Sequence, residues 1–373
     1  MAFGGTAPKV YLEQVNLANF RNYESVELAL VPDGVTLLRG SNGAGKTNLL
    51  EAIAYLAVLR SFRGAPTAAM VRDGCNQAVV RAQGKRSGRS LLVEVELNMS
   101  GKDKVRLNRQ PLRRSDELLG AVVVTVFSPD DIGIVKGPPQ ARRDYLDDLL
   151  SSLGPRHGAA RSELDRVLKQ RNALLRSAGG SLRPAMASVL DVWDTKLAAV
   201  GEDIARAREA VVASLSPQAE AAYAQLSGTS GVAGEGVVLR YERSWQGTLL
   251  GALGAAREED VRRGATSLGP QRDELFVGLS GLAARVQASQ GEQRGLALAL
   301  RLGAHALVAE RQGTSPVLLL DDIFSELDPL RSEALCRCLP DGQTVLTAAG
   351  VVPALLPVSS VQRVAAGELT GDR

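Results

Sequence analysis

The clearest chemistry in the chain sits in Gly40, Ser41, Asn42, Gly43, Ala44, Gly45, Lys46 and Thr47, a full match to the phosphate loop G-x-x-x-x-G-K-[ST]. Glycines let backbone N–H groups turn inward around phosphate oxygens, and a helix start adds free N–H groups and a positive dipole end. In that arrangement Lys46 reaches the β/γ-phosphates of ATP, Thr47 sits on Mg²⁺, and Asn48 extends the cradle. A second set is Asp321 and Asp322, which end an apolar run at 316–320. Asp321 suits the Mg²⁺ shell, and Asp322 suits orienting or deprotonating water, which makes Lys46 and Asp322 the candidate catalytic pair. The third set is Ser289, Gly291 and Glu292, within Ser-Gln-Gly-Glu-Gln at 289–293. A Ser and a Gly at a helix start make another anion-binding end. One ATP needs only one Lys-bearing loop, so this second start makes sense as the completion of a site on a second copy of the chain. Two ATPs would then be sandwiched in a two-fold dimer, closed by ATP binding and released by hydrolysis.

These sets need particular elements to position them. Residues 35–39 read as a buried strand delivering the loop, and 48–59 as the helix that follows it. Residues 316–320 and 344–347 read as short buried strands, 361–364 as a closing strand, and 292–310 as a long helix. Earlier, 10–17 and 27–30 are strand candidates that could pair. Residues 79–82 and 91–97 read as strands of an accessory antiparallel sheet, and 122–127 is a strong β-branched run. Composition shifts at 140: residues 142–153, 159–177 and 184–215 carry helical patterns separated by Pro, Gly and Ser. Residues 228–264 read as a Gly-rich return with a strand at 237–241, and 275–279 as another strand. The expected division is 1–139, 140–264 and 265–373, an inserted helical lobe between two parts of one α/β ATPase.

Four further places stay open on the residues alone. Arg21 could touch phosphate or simply be a salt-bridged surface arginine. Arg60 and Arg63 could reach ATP or DNA, or serve the surface. Ser128 to Asp131 could approach Mg²⁺, or be no more than a turn with a helix cap. Between 81 and 114 there are ten Lys or Arg against three acidic residues, the best local candidate for a DNA-facing stretch and equally a solvated hairpin.

The 373 residues suffice for more than one lobe, and 45% hydrophobic with 23% charged content is ordinary for a globular protein. A net charge of +3 argues little about nucleic acid, and the 36 Arg against 8 Lys fit coding bias as well as phosphate binding. No stretch reaches 18 uninterrupted apolar residues, and the start lacks a secretory pattern. Cys75, Cys336 and Cys338 form no C-x-x-C pair. Together these make a cytoplasmic location the expectation.

The combination resembles the RecF recombination and repair proteins, relatives of the Rad50/SMC branch of ABC-type ATPases. The resemblance rests on Asn19-Phe-Arg-Asn-Tyr23, the loop with Thr47-Asn48-Leu49, Ser61-Phe-Arg63, the stretch 118–120, Phe127-Ser-Pro-Asp-Asp131 with Lys136-Gly137 and Arg142-Arg143, Gly269-Pro-Gln-Arg-Asp273, 289–294, and 318–322 with Ser325-Glu-Leu-Asp328. It implies an α/β fold: an ABC-type ATPase head with an accessory antiparallel β region and an inserted helical lobe. It also implies ATP and Mg²⁺ as cofactors, a weak DNA-stimulated ATPase, and ATP-dependent homodimerisation. It further implies binding of duplex DNA at gaps and single/double-strand junctions, and work with RecR and RecO to load RecA. Ser289 would carry a contact to the γ-phosphate across the dimer. Departures are Gln271 where the family usually has His, Thr347-Ala-Ala where transporter ATPases carry a switch His, and Asp322 in place of Glu. The rival readings are the ATPase subunit of a transporter and a largely non-hydrolytic ATP-gated scaffold.

Overall fold

The computed structural model describes residues 10–112, 118, 120–228 and 236–371. The irregular lead-in expected at 1–8, with Arg113, Arg114 and Leu119, lies outside the described residues. The strands are β1 (Val10–Phe20), β2 (Tyr23–Ala29), β3 (Gly34–Arg39), β4 (Gln77–Arg86), β5 (Arg89–Asn98), β6 (Lys104–Leu107), β7 (Gln110–Pro111), β8 (Val124–Phe127), β9 (Val237–Glu242), β10 (Glu274–Leu279), β11 (Leu282–Ala283), β12 (Val317–Asp321), β13 (Gln343–Ala348), β14 (Val358–Ala365) and β15 (Glu368–Gly371). Contacts group the chain into two compact units, one of residues 1–132, 218–232 and 290–373, the other of 133–217 and 233–289.

The first unit holds two six-stranded sheets. One runs β15-β14-β3-β13-β12-β8, parallel except for β15 at its edge. Its central strands are apolar without alternation because both faces are covered, and β12 and β13 are buried at every residue. The other sheet runs β2-β1-β4-β5-β6-β7 and is antiparallel. Here one face is wet, so burial alternates: Leu91, Val93, Val95 and Leu97 point inward along β5. An irregularity between Leu12 and Gln14 breaks the pairing of β1 with β4. At Leu12 the backbone is taken up by Gln343, whose Oε1 accepts from Leu12 N (2.8 Å) and whose Nε2 donates to Leu12 O (2.6 Å) and Val31 O (2.7 Å). That one buried amide stitches the two sheets together.

The helix Lys46–Val58 packs in a core shared with both sheets. It is apolar nearly all round, as a helix covered on every side must be. The helix Gln290–Gln312 is likewise covered through its middle, where residues 295–300 are all buried, and it touches β8. Its Gly303 admits the backbone of residue 219, since a Cβ there would lie 2.8 Å from Ala219 N.

The second unit is built on Pro139–Leu153, Pro155–Ser177 and the part of Pro184–Ser227 up to residue 217, with the small sheet β11-β10-β9. The last helix runs twelve residues beyond the expected end at 215, because no glycine or cap stops it before Ser227. Residues 228–264 also contain two short helices beyond the Gly-rich reading. Thr248 caps Leu249–Ala255 by accepting from Gly251 N, and Gly264, at φ 65°, ends Arg257–Arg263. The unit buries charge where partners meet it. Arg171, fully buried, donates to Asp194 (2.7 Å), Asp260 (2.7 Å) and Thr266 (2.9 Å).

Candidate active site

Parallel register sets the site. Leu38 on β3 pairs with Thr347 on β13, and Thr347 pairs with Asp321 on β12. The loop after β3, the end of β13 and the two carboxylates therefore share the carboxyl edge of one sheet, where open α/β sheets bind ligands.

The loop is shaped by close approach. A Cβ on Gly40 would lie 2.2 Å from the carbonyl oxygen of Val364, so no side chain fits there. Gly45 lies at φ 112°, and a Cβ would meet Asn22 Nδ2 at 2.6 Å and Tyr23 Oη at 2.7 Å. Those two residues brace the loop from behind. Tyr23 Oη donates to Gly45 O (3.1 Å), and Asn22 accepts from Asn48 Nδ2 (2.7 Å). Burial pushes the Tyr23 hydroxyl well above its ordinary range, which keeps it a donor. Lys46 folds back over the loop, donating to Gly40 O (2.8 Å) and Ser41 O (2.9 Å). Its helix has no side-chain cap and no acidic residue in the first turn, so its N-terminal end stays electropositive.

Thr47 Oγ1 donates to Asp321 Oδ1 at 2.9 Å, a direct bond between residues 274 positions apart. Thr347 Oγ1 donates to the same oxygen at 2.8 Å and accepts from Asp322 N at 2.9 Å. Burial raises the Asp321 carboxyl above its usual range, opposed by the Thr347 and Thr47 hydrogen bonds, raised further by Asp322 and lowered by Arg63. Asp322 adopts φ 47°, left-handed backbone in which the chain turns off the strand. Lys46, Thr47, Asp321 and Asp322 thus belong to one contiguous arrangement. Thr347 belongs to it too. The sequence presents it only as the place of an absent His, because its role comes from strand register.

Ser289, Gly291 and Glu292 stand at the start of Gln290–Gln312. A Cβ on Gly291 would lie 2.6 Å from Arg331 Nη1, so this glycine makes room for a guanidinium. Asp328 caps the helix Pro329–Cys338 and holds that same guanidinium at 2.9 Å. Arg294, one turn along from Gly291, donates to Glu326 O (3.1 Å) and pairs with the Glu326 carboxylate.

The open residues find definite partners. Arg21 is a structural arginine: Nε and Nη2 donate to the buried Glu51 at 2.7 and 2.8 Å, and Nη1 to Ala69 O at 2.7 Å. Asp131 closes a capping box with Ser128 and accepts from Arg301 at 2.6 and 3.0 Å, the turn-and-cap alternative. Arg63 donates to Asn48 Oδ1 at 3.3 Å, beside the loop. In the basic stretch, Arg81 and Arg106 pair with Glu94, Lys104 with Glu96 and Lys85 with Glu13, so its field is weaker than its count. Arg81 before all else holds the Glu94 carboxyl below its usual range. Gln271 donates to Leu268 O (2.8 Å), while its Oε1 is buried with no hydrogen-bond partner among the described residues. His305 is buried between the hydroxyls of Thr125 (3.1 Å) and Ser315 (3.2 Å), and burial lowers its pKa to about 4.

The sequence profile of the RecF/RecN/SMC N terminal domain matches residues 11–347. The DNA replication and repair protein RecF of Streptomyces avermitilis is 42% identical over 366 residues, spanning 93% of this chain and 96% of that protein. RecF of Frankia alni is 41% identical over 381 residues, spanning 96% and 99%. Among solved structures, the recombination mediator protein RecF-ATP in the RecFOR pathway superposes with a TM-score of 0.89 at 26% identity, with 100% of each chain covered. An Smc head domain from Pyrococcus furiosus, bound to the C-terminal domain of ScpA, gives 0.53 at 15% identity over 97% and 95%, a likeness of fold alone. An α/β ATPase-head fold, a phosphate loop joined to paired carboxylates, and this near full-length likeness lead to one conclusion: the chain belongs to the RecF family of DNA replication and repair proteins.

Proposed function

We propose that this chain is an ATP-dependent DNA-binding protein of gap repair, whose grip on duplex DNA is set by ATP-driven dimerisation and released by slow hydrolysis. The observation that carries the reading is the Thr47–Asp321 bond, which joins the phosphate loop to the carboxylate strand in one site. Asp321 is a buried carboxylate met, among the described residues, by hydroxyl donors alone, a poor resting state for an anion and a good one for a cation's ligand. Among the described residues no three His, Cys, Asp or Glu side chains converge as a metal cluster. A divalent ion here would take few protein oxygens and the rest from phosphate and water, which suits Mg²⁺. Thr47 and Asp321 would hold it, and it would neutralise charge on the β- and γ-phosphates.

The chain's own groups do the remainder. Lys46 exchanges its two carbonyl partners for phosphate oxygens. The loop N–H groups and the uncapped helix start receive the phosphates. Asp322, turned off the strand end, orients or deprotonates the attacking water. Ser289, Gly291 and Glu292 complete the site of a second copy. Duplex DNA at gaps and junctions is the substrate surface, and RecR and RecO are partners in placing RecA. The RecFOR pathway named for the solved RecF structures supports that assignment by family.

Sizing the protein with and without ATP·Mg²⁺, on gapped, duplex and single-stranded DNA, tests the reading. Dimers that need ATP and favour gapped DNA, with binding that weakens steeply as salt rises, are expected. A chain that stays monomeric with ATP and binds DNA equally without it would sink the proposal.

A further inference from the structure

Two threonines donate to one oxygen, Asp321 Oδ1, and they differ in what else they hold. Thr47 sits at the helix start on the loop side, and among the described residues its hydroxyl has no second partner. Thr347 is 1% exposed, and its hydroxyl also accepts from the Asp322 amide. A hydroxyl has one proton. Because a fixed backbone N–H occupies a lone pair of Thr347, that proton is directed at Asp321. The hydrogen-bond chain therefore has a single sense, from Asp322 N through Thr347 to Asp321 Oδ1. Thr47 can turn away to another ligand, whereas Thr347 cannot without releasing Asp322.

Strand geometry places Thr347 in this role. Asp321 and Thr347 are register partners on parallel strands, so their side chains stand together at the sheet edge. The next residue, Asp322, leaves the strand in left-handed backbone. Its amide can no longer join the ladder to β13 in the regular way, and the Thr347 hydroxyl receives it. Valine would keep the volume and β-branching of that position and lose both bonds. Serine would keep both bonds.

We infer that Thr347 is the positioning residue of the carboxylate pair: it holds Asp321 aimed as a ligand, and it fixes the turn that presents Asp322. The inference rests on the ATP·Mg²⁺ reading of the site. It assigns Thr347 a share in how well the site takes a divalent cation with nucleotide, and no share in binding the nucleotide alone.

The test uses the full chain with a fluorescent ATP analogue, titrated in excess EDTA and again with Mg²⁺, beside steady-state hydrolysis. Thr347→Val is expected to leave affinity in EDTA within twofold of the parent. The Mg²⁺ midpoint should rise about tenfold and kcat should fall about tenfold with KM little changed, the scale of one charge-assisted hydrogen bond. Thr347→Ser should return both to within twofold. An unchanged Mg²⁺ midpoint in Thr347→Val, failure of Thr347→Ser to recover it, or an equal loss of affinity in EDTA would each overturn the inference. If Thr347→Val does not fold, Thr347→Cys replaces it. A weak donor should move the midpoint the same way by less, and a Cys variant identical to the parent overturns the idea. A parent chain whose nucleotide affinity ignores Mg²⁺ altogether would instead sink the underlying site reading along with it.

Discussion

The helices that begin at Lys46 and at Gln290 are built for opposite circumstances. The first starts bare: Gly45 caps it without a side chain, and its first turn has no acid. The second starts furnished: Glu292 lies in its first turn, Arg331 packs on Gly291, and Arg294 reaches across to Glu326. A bare helix end attracts an anion by itself. A furnished end meets an anion through side chains already in place, here Arg331 over Gly291 and Glu292 in the first turn. The lesson is that two helix starts near glycine can look alike in sequence while one is bare and the other is already ringed by side chains. The first helix is locked in core from its first residue, whereas the second is covered through its middle and has side-chain ties at its start to the segment after Asp322.

The comparison can be broken most easily at its bare end. Lys46→Ala should lower ATP hydrolysis by roughly a hundredfold or more and abolish nucleotide-dependent dimers, read by turnover and by sizing. If hydrolysis survived, the first helix start would not be the phosphate end. At the furnished end, Gly291→Ala should weaken ATP-driven dimerisation by about tenfold, because the new methyl would meet Arg331 Nη1 at 2.6 Å. Adding Arg331→Ala to it should restore part of the loss. A double variant no better than Gly291→Ala would show that the glycine serves something other than room for the guanidinium. Arg294→Gln should be milder, lowering turnover about fivefold through an effect of ~1 kcal/mol, with single-chain ATP affinity unchanged, since the pair with Glu326 is part-exposed.

The smallest effect concerns pH. His305 lies on the second helix, and burial lowers its pKa to about 4 from the ordinary 6.5. A histidine kept neutral by folding contributes stability fully above pH 6.5 and loses it as pH falls toward 4, because the unfolded chain then binds the proton more readily. Denaturant midpoints should drop over that window, and His305→Gln should flatten the drop. A parallel fall in both proteins would assign the pH dependence elsewhere.

The loop and the carboxylates are legible in the sequence because their chemistry dictates residue type and spacing along one strand-loop-helix. What escapes is decided by partners brought in from elsewhere. Thr347 gains its role from lying beside Asp321 in register, and Arg21 from the buried Glu51. The basic stretch near Arg81 is partly neutralised because β4 and β5 set Arg81 opposite Glu94. The short helices before Gly264 hide in a Gly-rich stretch because their signals are single residues, Thr248 and the glycine itself.

The carbonyl of Val364 that stands where a Gly40 side chain would be has a consequence for how the protein is made. The phosphate loop leaves the ribosome well before its partners, Asp321 following Thr47 by 274 residues, with Thr347 and the wall at Val364 later still. At roughly 5–20 residues per second, a growing chain spends tens of seconds holding a nucleotide loop without a nucleotide site. The assembled site therefore comes into being only once β14 has been made, and chains cut short upstream of β12 carry the motif without the pocket.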